Sequence, residues 1–314
     1  MQKWKQKAIV QKAISYLPFG HKVNYLFQKY VTKGVYLTDT YFYDRLEHAK
    51  VHLDGYRKFS GNLVPASTLE IGTGWYPTVP ICFFLSGADK IYSVDISFLT
   101  SKERIQSTLL KFEESKQAGQ LEKYIPVIPE RFAVINLLLK NYTNLTLDEI
   151  LQQLHITYLI EDARNLTLPD NSIDLVHSNN TFEHIYPEIL APILKEFKRV
   201  VKKDGGVLSH AIDMSDHFAH FDTSINIYHF LRFTDNEWKW IDNSIQPQSR
   251  LRFYDYKKMY AELGIPISEE TCRAGNITAL QNVPLAAKYA TYPLQETAVS
   301  HCHFISNMRS ATNS

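Results

Sequence analysis

The sequence lacks the features that are typical of disulfide-rich, zinc-binding, membrane-spanning and secreted proteins. Its 314 residues include three cysteines, Cys82, Cys272 and Cys302, and these lie far apart. This spacing gives neither a disulfide framework nor a zinc motif, and it is typical of buried thiols in a reducing compartment. No apolar run reaches the roughly 20 residues that span a membrane, and residues 1–20 lack the features of a signal peptide. We therefore expect a cytoplasmic protein.

The chain also lacks a strong excess of either charge. Its 34 basic and 33 acidic residues give a formal net charge of +1. Proteins that bind nucleic acids generally carry a marked basic excess, so we expect no nucleic-acid partner. The length suits one large domain or a domain with appendages.

A strand, a glycine turn and a helix follow one another near the start of the main apolar region. The apolar run at residues 68–71 meets Gly72 and Gly74, and an apolar helix follows that Thr78 is expected to cap. A second apolar run then closes on Asp95. This order predicts a nucleotide-binding βαβ unit, in which a terminal carboxylate accepts hydrogen bonds from ribose hydroxyls.

The turn itself carries an acid before its glycines. Glu70 precedes Gly72 by two residues, and Tyr76 or Pro77 stands where dinucleotide-binding turns have a third glycine. This acid-x-Gly-x-Gly pattern resembles motif I of the class I S-adenosylmethionine (SAM) dependent methyltransferases, in particular the type 11-like family.

Later segments resemble the same family in the same order. They are Asp162-Ala163 after a strand at 156–160, a strand at 173–178 followed by Glu183-His184, and Gly205-Gly206 before a strand at 207–212. The resemblance spans residues 67–212. It implies an α/β fold with a Rossmann-like, doubly wound, seven-strand mixed sheet, and SAM as the cofactor. The last two strands are expected at 267–273 and 297–307.

The resemblance also implies how SAM is held. The backbone of Gly72 and Gly74 would approach the amino-acid part of SAM, and Glu70 would accept a hydrogen bond from the turn or from the ammonium group. Asp95 would hold both ribose hydroxyls.

The remaining cofactor contacts would come from the third and fourth strands. Asp162 would accept from the adenine amino group, and the N–H of Ala163 would donate to a ring nitrogen. Ser178 and Asn179 would border the reactive methyl group.

The chain divides into segments of different character. We expect an N-terminal helical cap at 1–62 and a SAM-binding domain at 63–314. The domain would contain a helical insertion at 101–155, because a compact crossover is shorter than this segment, and a substrate-side excursion at 213–250.

A second group of polar residues follows the fifth strand: His210, Asp213, Asp216, His217, His220 and Asp222. Histidine suits removal of a proton from a hydroxyl near neutral pH. We expect His217 to be the base and Asp213 or Asp216 to orient it, with His184 as a further catalytic candidate. A divalent metal bound by this group is an alternative, since some methyltransferases use one to hold a diol, but the spacing matches no standard metal motif and no metal is expected. The other alternative is a solvated polar loop.

The acceptor is expected to be a small molecule or a glycan, methylated at oxygen. The excursion and the two residues after it are rich in aromatic and basic residues: Tyr228, Phe230, Phe233, Trp238, Trp240, Arg232, Arg250 and Arg252. These would stack on a sugar and pair with an anion. The alternative for the aromatics is core packing.

Three other functions fit parts of the sequence. The first is an NAD(P)-dependent oxidoreductase on a similar Rossmann sheet, and the second is a non-catalytic binding module that keeps the same fold. The third is a lipid or quinone methyltransferase in peripheral contact with a membrane through residues 1–34, because residues 1–38 hold seven lysines and no acid. We prefer a packed helix with a solvated lysine face for this segment.

Overall fold

The computed structural model describes residues 2–17 and 36–309, which form an α/β fold around one mixed sheet. Its seven strands are β1 (Ser67–Ile71), β2 (Lys90–Asp95), β3 (Ile156–Ile160), β4 (Leu175–Asn179), β5 (Val207–Asp213), β6 (Glu269–Arg273) and β7 (His301–Asn307). The strand order is β3-β2-β1-β4-β5-β7-β6. The first five strands run parallel, and β7 is antiparallel to both of its neighbours. The expected fold class and strand count are confirmed.

Helices cover both faces of this sheet. They are α1 (Lys3–Ser15), α2 (Asp39–Ser60), α3 (Thr78–Ser86), α4 (Lys102–Gln117), α5 (Pro129–Asn141), α6 (Leu147–Gln153), α7 (Pro187–Val200), α8 (Asp235–Ile241), α9 (Phe253–Glu262), α10 (Ile277–Gln281), α11 (Ala287–Ala290) and α12 (Leu294–Ala298). The last strand begins later than expected, because α12 occupies the first part of 297–307.

Helix α2 lies across one face of the sheet. Thr38 caps its start by accepting from the N–H of Tyr41, and Gly61 ends it in the left-handed conformation that glycine adopts readily. Its buried residues recur at helical spacing and pack in a cluster with α3 and the insertion helices α4–α6. The insertion is helical, as expected. The division into a cap at 1–62 and a domain at 63–314 stays a prediction.

Helix α3 is buried along its whole length. The expectation that Thr78 caps it is wrong, because Pro77 is the capping residue and Thr78 is the first helical residue. A residue already in the helix cannot turn its hydroxyl onto the first free amides. Within residues 2–17 and 36–309, the Thr78 hydroxyl is buried with no hydrogen-bond partner.

Helix α1 packs on the substrate-side excursion rather than on the sheet. Trp4 and Ala8 are buried among the aromatic residues of that segment, and the N–H of Trp4 donates to Asp222 Oδ2 at 2.9 Å. Lys12 Nζ donates to the carbonyl oxygen of Asp242 at 2.7 Å. The N-terminal helix is therefore a packed helix, as preferred. Residues 18–34 of the proposed membrane contact lie outside the described residues.

No helix among residues 2–17 and 36–309 has the length and apolar character needed to cross a membrane. The cytoplasmic location and the absence of a nucleic-acid partner stay predictions.

The strand register brings the candidate residues to one edge of the sheet. Ile71 pairs with Val94, and Asp95 pairs with Ile160, so the ends of β1, β2 and β3 are level. Ser178 of β4 pairs with His210 of β5 on the other side. Ligands in open α/β sheets bind at the carboxyl ends of the strands, and this is the edge that carries the turn after β1.

Candidate functional site

The two glycines of the turn are required for different reasons. Gly72 has φ +75°, and a Cβ atom there would lie 2.5 Å from the side chain of Thr181. Gly74 has φ +68°, and a Cβ there would meet no atom of the described residues within 4 Å. The first glycine thus allows the loop after β4 to pack against the turn. The second adopts a left-handed conformation beside open space, where a ligand can approach the backbone.

Glu70 is buried beneath this turn. Its Oε2 accepts from the hydroxyl of Thr73 at 2.6 Å, and its Oε1 accepts from the side-chain amide of Asn179 at 2.8 Å. Burial raises the pKa of Glu70, while these two hydrogen bonds oppose that rise. The sequence predicts that Glu70 accepts a hydrogen bond from the turn or from the ammonium group of SAM. In the structure the donor belongs to the turn, but it is the side chain of Thr73 and not the backbone.

Asn179 joins the turn to helix α2. Its Oδ1 accepts from His48 Nδ1 at 2.7 Å and from His52 Nε2 at 3.0 Å, while its amide donates to Glu70. The other ring nitrogen of His52, Nδ1, lies 2.7 Å from the hydroxyl of Ser209. Burial lowers the pKa of both histidines, so they are neutral donors. The Asn179 side chain therefore connects the end of β4 to the turn after β1 and to helix α2.

His48 and His52 are site residues that the sequence does not mark as such. Their only sequence signal is a pair of histidines four residues apart on one side of a helix, and such residues ordinarily face solvent.

Asp95 lies at the end of β2 with a half-buried carboxylate. Burial raises its pKa, although backbone N–H groups of the following residues, including Ser97 at 3.3 Å, donate to it. The next residue, Ile96, is 82% exposed. An acceptor beside an exposed apolar side chain suits a nucleoside, which combines hydroxyls with a flat ring. Ile96 is a candidate contact that the sequence analysis missed.

Asp162 and Ala163 follow β3 on the same edge. Asp162 is exposed, and both its oxygens lie 2.9 Å from Nε of Arg164. Hydrogen bonds from Arg164 lower the pKa of Asp162 to about 2. Ala163 is buried. An adenine amino group would compete with Arg164 for Asp162, and an exposed ion pair of this kind is weak enough to exchange.

A cleft of about 300 Å³ opens beside the ends of β4 and β5. Its lining residues come from α1, the loop after β4, the end of β5 and the excursion: Lys7, Asn180, Glu183, His184, Asp213, His217, His220 and Gln246. The three catalytic candidates from the sequence, His184, Asp213 and His217, thus line one cleft.

His217 and Asp213 form a pair in this cleft. His217 Nε2 lies 3.7 Å from Asp213 Oδ2, and Asp213 Oδ1 accepts from the N–H of Ser215 at 2.8 Å. Burial alone would raise the pKa of Asp213, but the adjacent imidazoles of His217 and His301 lower it below its usual value. Asp213 is therefore a carboxylate that can stabilise a positive charge on His217.

The other acid weighed as a partner for His217 faces elsewhere. Asp216 Oδ2 lies 3.5 Å from His229 Nδ1, and its Oδ1 accepts from the N–H of Phe218 at 2.8 Å. Within the described residues, Asp213 is thus the acid of the two that lies within 4 Å of His217.

His184 lies in the wall of the cleft, in a short 3-10 helix, Phe182–His184, rather than at the start of α7. Its Nδ1 donates to the carbonyl oxygen of Pro247 at 2.7 Å. Burial lowers its pKa to about 4. The ring is therefore neutral near pH 7, with Nε2 left as an acceptor.

Glu183, beside it, is the most unusual group in the cleft. The residue is 6% exposed, and neither carboxylate oxygen has a hydrogen-bond partner in the described part of the chain. Burial raises its pKa well above the usual value. In the sequence, Glu183 stands out only as part of the Glu183-His184 motif. Its lack of hydrogen-bond partners depends on the fold and cannot be seen in the sequence.

The arginines of the excursion are structural. Arg252 is 0% exposed, and it donates to the carbonyl oxygens of Thr297 and Val299, each at 2.6 Å. Arg250 donates to the carbonyl oxygen of Phe233 at 2.6 Å. The expectation that these two arginines pair with a ligand anion is wrong, because loop carbonyls use their donors.

Most aromatics of the excursion are structural as well. Tyr228, Phe230 and Trp238 are buried in the cluster that holds α1, and Phe233 packs against it. Trp240 is 82% exposed. Core packing, the alternative weighed for these residues, accounts for four of the five.

A comparison with known families identifies the type of domain in this chain. Residues 118–209 match the family model described as a methyltransferase domain. The match runs from the insertion through β3 and β4 into β5, and the glycine turn and Asp95 precede it. Residues 118–209 thus carry a methyltransferase domain, and together with the strand order they indicate a SAM-dependent methyltransferase with SAM as its cofactor. This decides against the oxidoreductase alternative.

No curated protein matches the sequence. Solved structures with a similar fold include the 1,6-didemethyltoxoflavin-N1-methyltransferase of Burkholderia thailandensis, at 10% identity and a TM-score of 0.46, covering 92% of this chain and 87% of that one. A geranyl diphosphate methyltransferase in complex with SAM has 10% identity and a TM-score of 0.42, covering 87% and 92%. A chain of the complex between the Haloferax volcanii Trm112 methyltransferase activator and a methyltransferase has 14% identity and a TM-score of 0.45, covering 92% and 98%.

Proposed function

We propose that this methyltransferase transfers the methyl group of SAM to an oxygen of a small-molecule or glycan acceptor bound in the cleft. The observation that carries the proposal is the His217–Asp213 pair, 3.7 Å apart in a cleft at the strand ends where SAM binds in such folds. A hydroxyl acceptor needs a base within reach, and a histidine beside a carboxylate meets that need.

In the proposed reaction an acceptor oxygen attacks the methyl carbon in line with the sulfonium. The O–C bond forms, the S–C bond breaks, and S-adenosylhomocysteine leaves with the electron pair of the broken bond. The acceptor proton passes to His217, and the resulting imidazolium lies beside the carboxylate of Asp213. Neutral His184 forms the adjoining wall, and alignment of the two reactants supplies much of the rate.

The cofactor would lie across the ends of β1 to β4. We assign the ribose hydroxyls to Asp95, and the adenine to Asp162 and Ala163. The backbone of Gly72 and Gly74 would contact the amino-acid part of SAM. The position of these residues along one sheet edge supports the assignment.

Glu70 and Asn179 would act on the cofactor indirectly. Each uses its side chain within the protein, and together they fix the turn to the end of β4. Their part in binding SAM is thus to hold the backbone of the site in position.

The cleft favours a small acceptor over a glycan. Its volume of about 300 Å³ is at the lower end of the range for small-molecule sites. The aromatic residues that would have stacked on a sugar are mostly core residues. We therefore rank a compact hydroxyl compound first.

The test is formation of S-adenosylhomocysteine, measured by mass spectrometry after incubation with SAM and a panel of hydroxyl, amine and glycan acceptors. The proposal expects turnover with a hydroxyl acceptor and loss of most of it in His217→Ala. Methylation of amines alone, or of none of the panel, would contradict the oxygen assignment.

One observation favours a second candidate, a lipid or quinone acceptor. Ile9, Tyr16 and Leu17 are exposed at the N-terminal end of the chain, near several lysines. Apolar side chains beside lysines suit an anionic membrane surface. Flotation with anionic vesicles, comparing the full chain with a form lacking residues 2–17, would test this candidate.

A further inference from the structure

The carboxyl group of Glu183 is buried in the cleft without a hydrogen-bond partner in the described part of the chain. It lines the cleft, it is 6% exposed, and no group among residues 2–17 and 36–309 donates to either oxygen. Burying a carboxylate without a hydrogen bond or a counter-charge is costly, and such groups in folded proteins are generally protonated, paired or bound to a cation.

Two imidazoles lie beside this carboxylate. Glu183, His184 and His217 each offer one ligand atom, and these three atoms lie within 4.8 Å of one another. Ligand atoms bound about 2.1 Å from one tetrahedral ion lie about 3.4 Å apart. Each of the three atoms therefore needs to move toward a common centre by about an ångström or less to share one ion.

Each imidazole also has a polar neighbour outside the three-residue cluster. His184 Nδ1 donates to the carbonyl oxygen of Pro247 at 2.7 Å, which leaves Nε2 free to bind. One ring nitrogen of His217 lies 3.7 Å from the carboxylate of Asp213. Histidines that bind metals generally have their other nitrogen hydrogen-bonded to a carbonyl or a carboxylate, which fixes the ring.

We infer that Glu183, His184 and His217 form a binding site for a divalent first-row transition-metal ion. Two imidazoles and one carboxylate suit zinc, cobalt or manganese better than magnesium or calcium, which prefer sets of oxygen ligands. Three protein ligands leave coordination positions open toward the cleft. The sequence predicted no metal, because the spacing of the His/Asp group after β5 matches no standard motif, and Glu183 and His184 lie outside that group.

The role of this site in catalysis rests on the proposed function, whereas ion binding does not. The nitrogen of His217 that would take the acceptor proton competes with the ion for the same lone pair. With an ion bound, His217 would be a ligand and could not take the acceptor proton, so ion binding and base catalysis would exclude each other at this residue. With no ion, His217 acts as the base.

Cobalt binding tests the inference without SAM or acceptor. The full-length protein, freed of metals with a chelator, is titrated with Co²⁺ while visible absorption and heat are recorded, and Zn²⁺ and Mg²⁺ are titrated separately. We expect one Co²⁺ per chain, displaced by Zn²⁺ and not by Mg²⁺. Glu183→Gln and His184→Gln should each weaken Co²⁺ binding at least about tenfold.

The matched control is His220→Gln, which removes an imidazole from the same cleft but from outside the cluster. It should leave Co²⁺ affinity unchanged. Circular dichroism and thermal unfolding establish that each variant is folded, and the wild-type stoichiometry tests the site even if a variant is not.

Absence of saturable one-to-one Co²⁺ binding to the wild-type chain overturns the inference. Binding that survives in both Glu183→Gln and His184→Gln also overturns it. Either result leaves methyl transfer with His217 as base untouched. Conversely, a chain that binds Co²⁺ as expected but methylates no hydroxyl keeps the metal site and loses the proposed function.

Discussion

The side-chain amide of Asn179 donates to Glu70 at 2.8 Å, while its oxygen accepts from His48 and His52 on helix α2. One buried side chain therefore connects the turn after β1, the end of β4 and the helix that covers both. A carboxylate and two histidines depend on it for hydrogen bonds.

Asn179→Ala should destabilise the fold and weaken SAM binding together. Removing the amide leaves an oxygen of Glu70 and two imidazole N–H groups unpaired in a buried site, at a cost of about 1–3 kcal/mol. Urea unfolding and SAM titration check this. Asn165→Ala, an exposed asparagine in the loop after β3, is the control and should change neither. Unchanged stability in Asn179→Ala would refute the network.

The two glycines of the turn should differ in their response to alanine. Both have positive φ, and a strained alanine there costs on the order of 1–3 kcal/mol. Gly72→Ala must also displace Thr181, which would lie 2.5 Å from the new Cβ, whereas Gly74→Ala meets no described atom within 4 Å. Gly72→Ala should therefore lose more free energy of unfolding. Equal losses would argue against the packing of Thr181 on the turn.

Asp95→Ala should weaken SAM binding by about 1–3 kcal/mol, because a half-buried acceptor for the ribose hydroxyls is lost. Calorimetric titration of SAM measures the change. Asp89→Ala removes an exposed acid just before the same strand, paired with Arg131 at 2.7 Å, and should leave SAM affinity alone. If Asp95→Ala binds SAM as tightly as wild type, the ribose assignment is wrong.

Acid should destabilise the protein partly through His177. Burial lowers its pKa to about 3, and both ring nitrogens lack hydrogen-bond partners in the described part of the chain. The unfolded chain takes up this proton near pH 6.5, while the folded chain does not until about pH 3. The contribution of neutral His177 is thus complete above about pH 6.5 and declines as the pH falls below it.

His177→Leu should make stability less dependent on pH. Between pH 6 and pH 5 the slope of unfolding free energy should fall by up to about 1.4 kcal/mol per pH unit, the value for one proton. Urea unfolding at several pH values gives the slope. An unchanged slope would mean that His177 is protonated in the folded state.

The position of most strands, their approximate ends and the place of Asp95 could be predicted from the sequence, because apolar runs and glycines mark where parallel strands begin and stop. The partners of those residues could not. Arg164 engages Asp162, and His52 reaches Asn179 from 127 positions away in the chain. A motif gives the type of side chain at a strand end, and packing decides whether its atoms remain free.

The same limit explains the errors over Arg250 and Arg252. In sequence a basic residue among aromatics indicates an anion or a sugar site. In the fold, carbonyl oxygens of distant loops take the guanidinium donors, and no side-chain pattern records where such carbonyls point. Glu183 shows the converse, because its lack of partners is visible only in three dimensions.

The most direct test of the central claim compares His217→Ala with wild type in two measurements, SAM affinity and the rate of S-adenosylhomocysteine formation with a hydroxyl acceptor. Loss of a positioned base lowers a rate about 10²- to 10⁴-fold. We predict a fall of that order in turnover with SAM affinity unchanged. Full turnover in His217→Ala, or a loss explained by weaker SAM binding alone, would contradict the account.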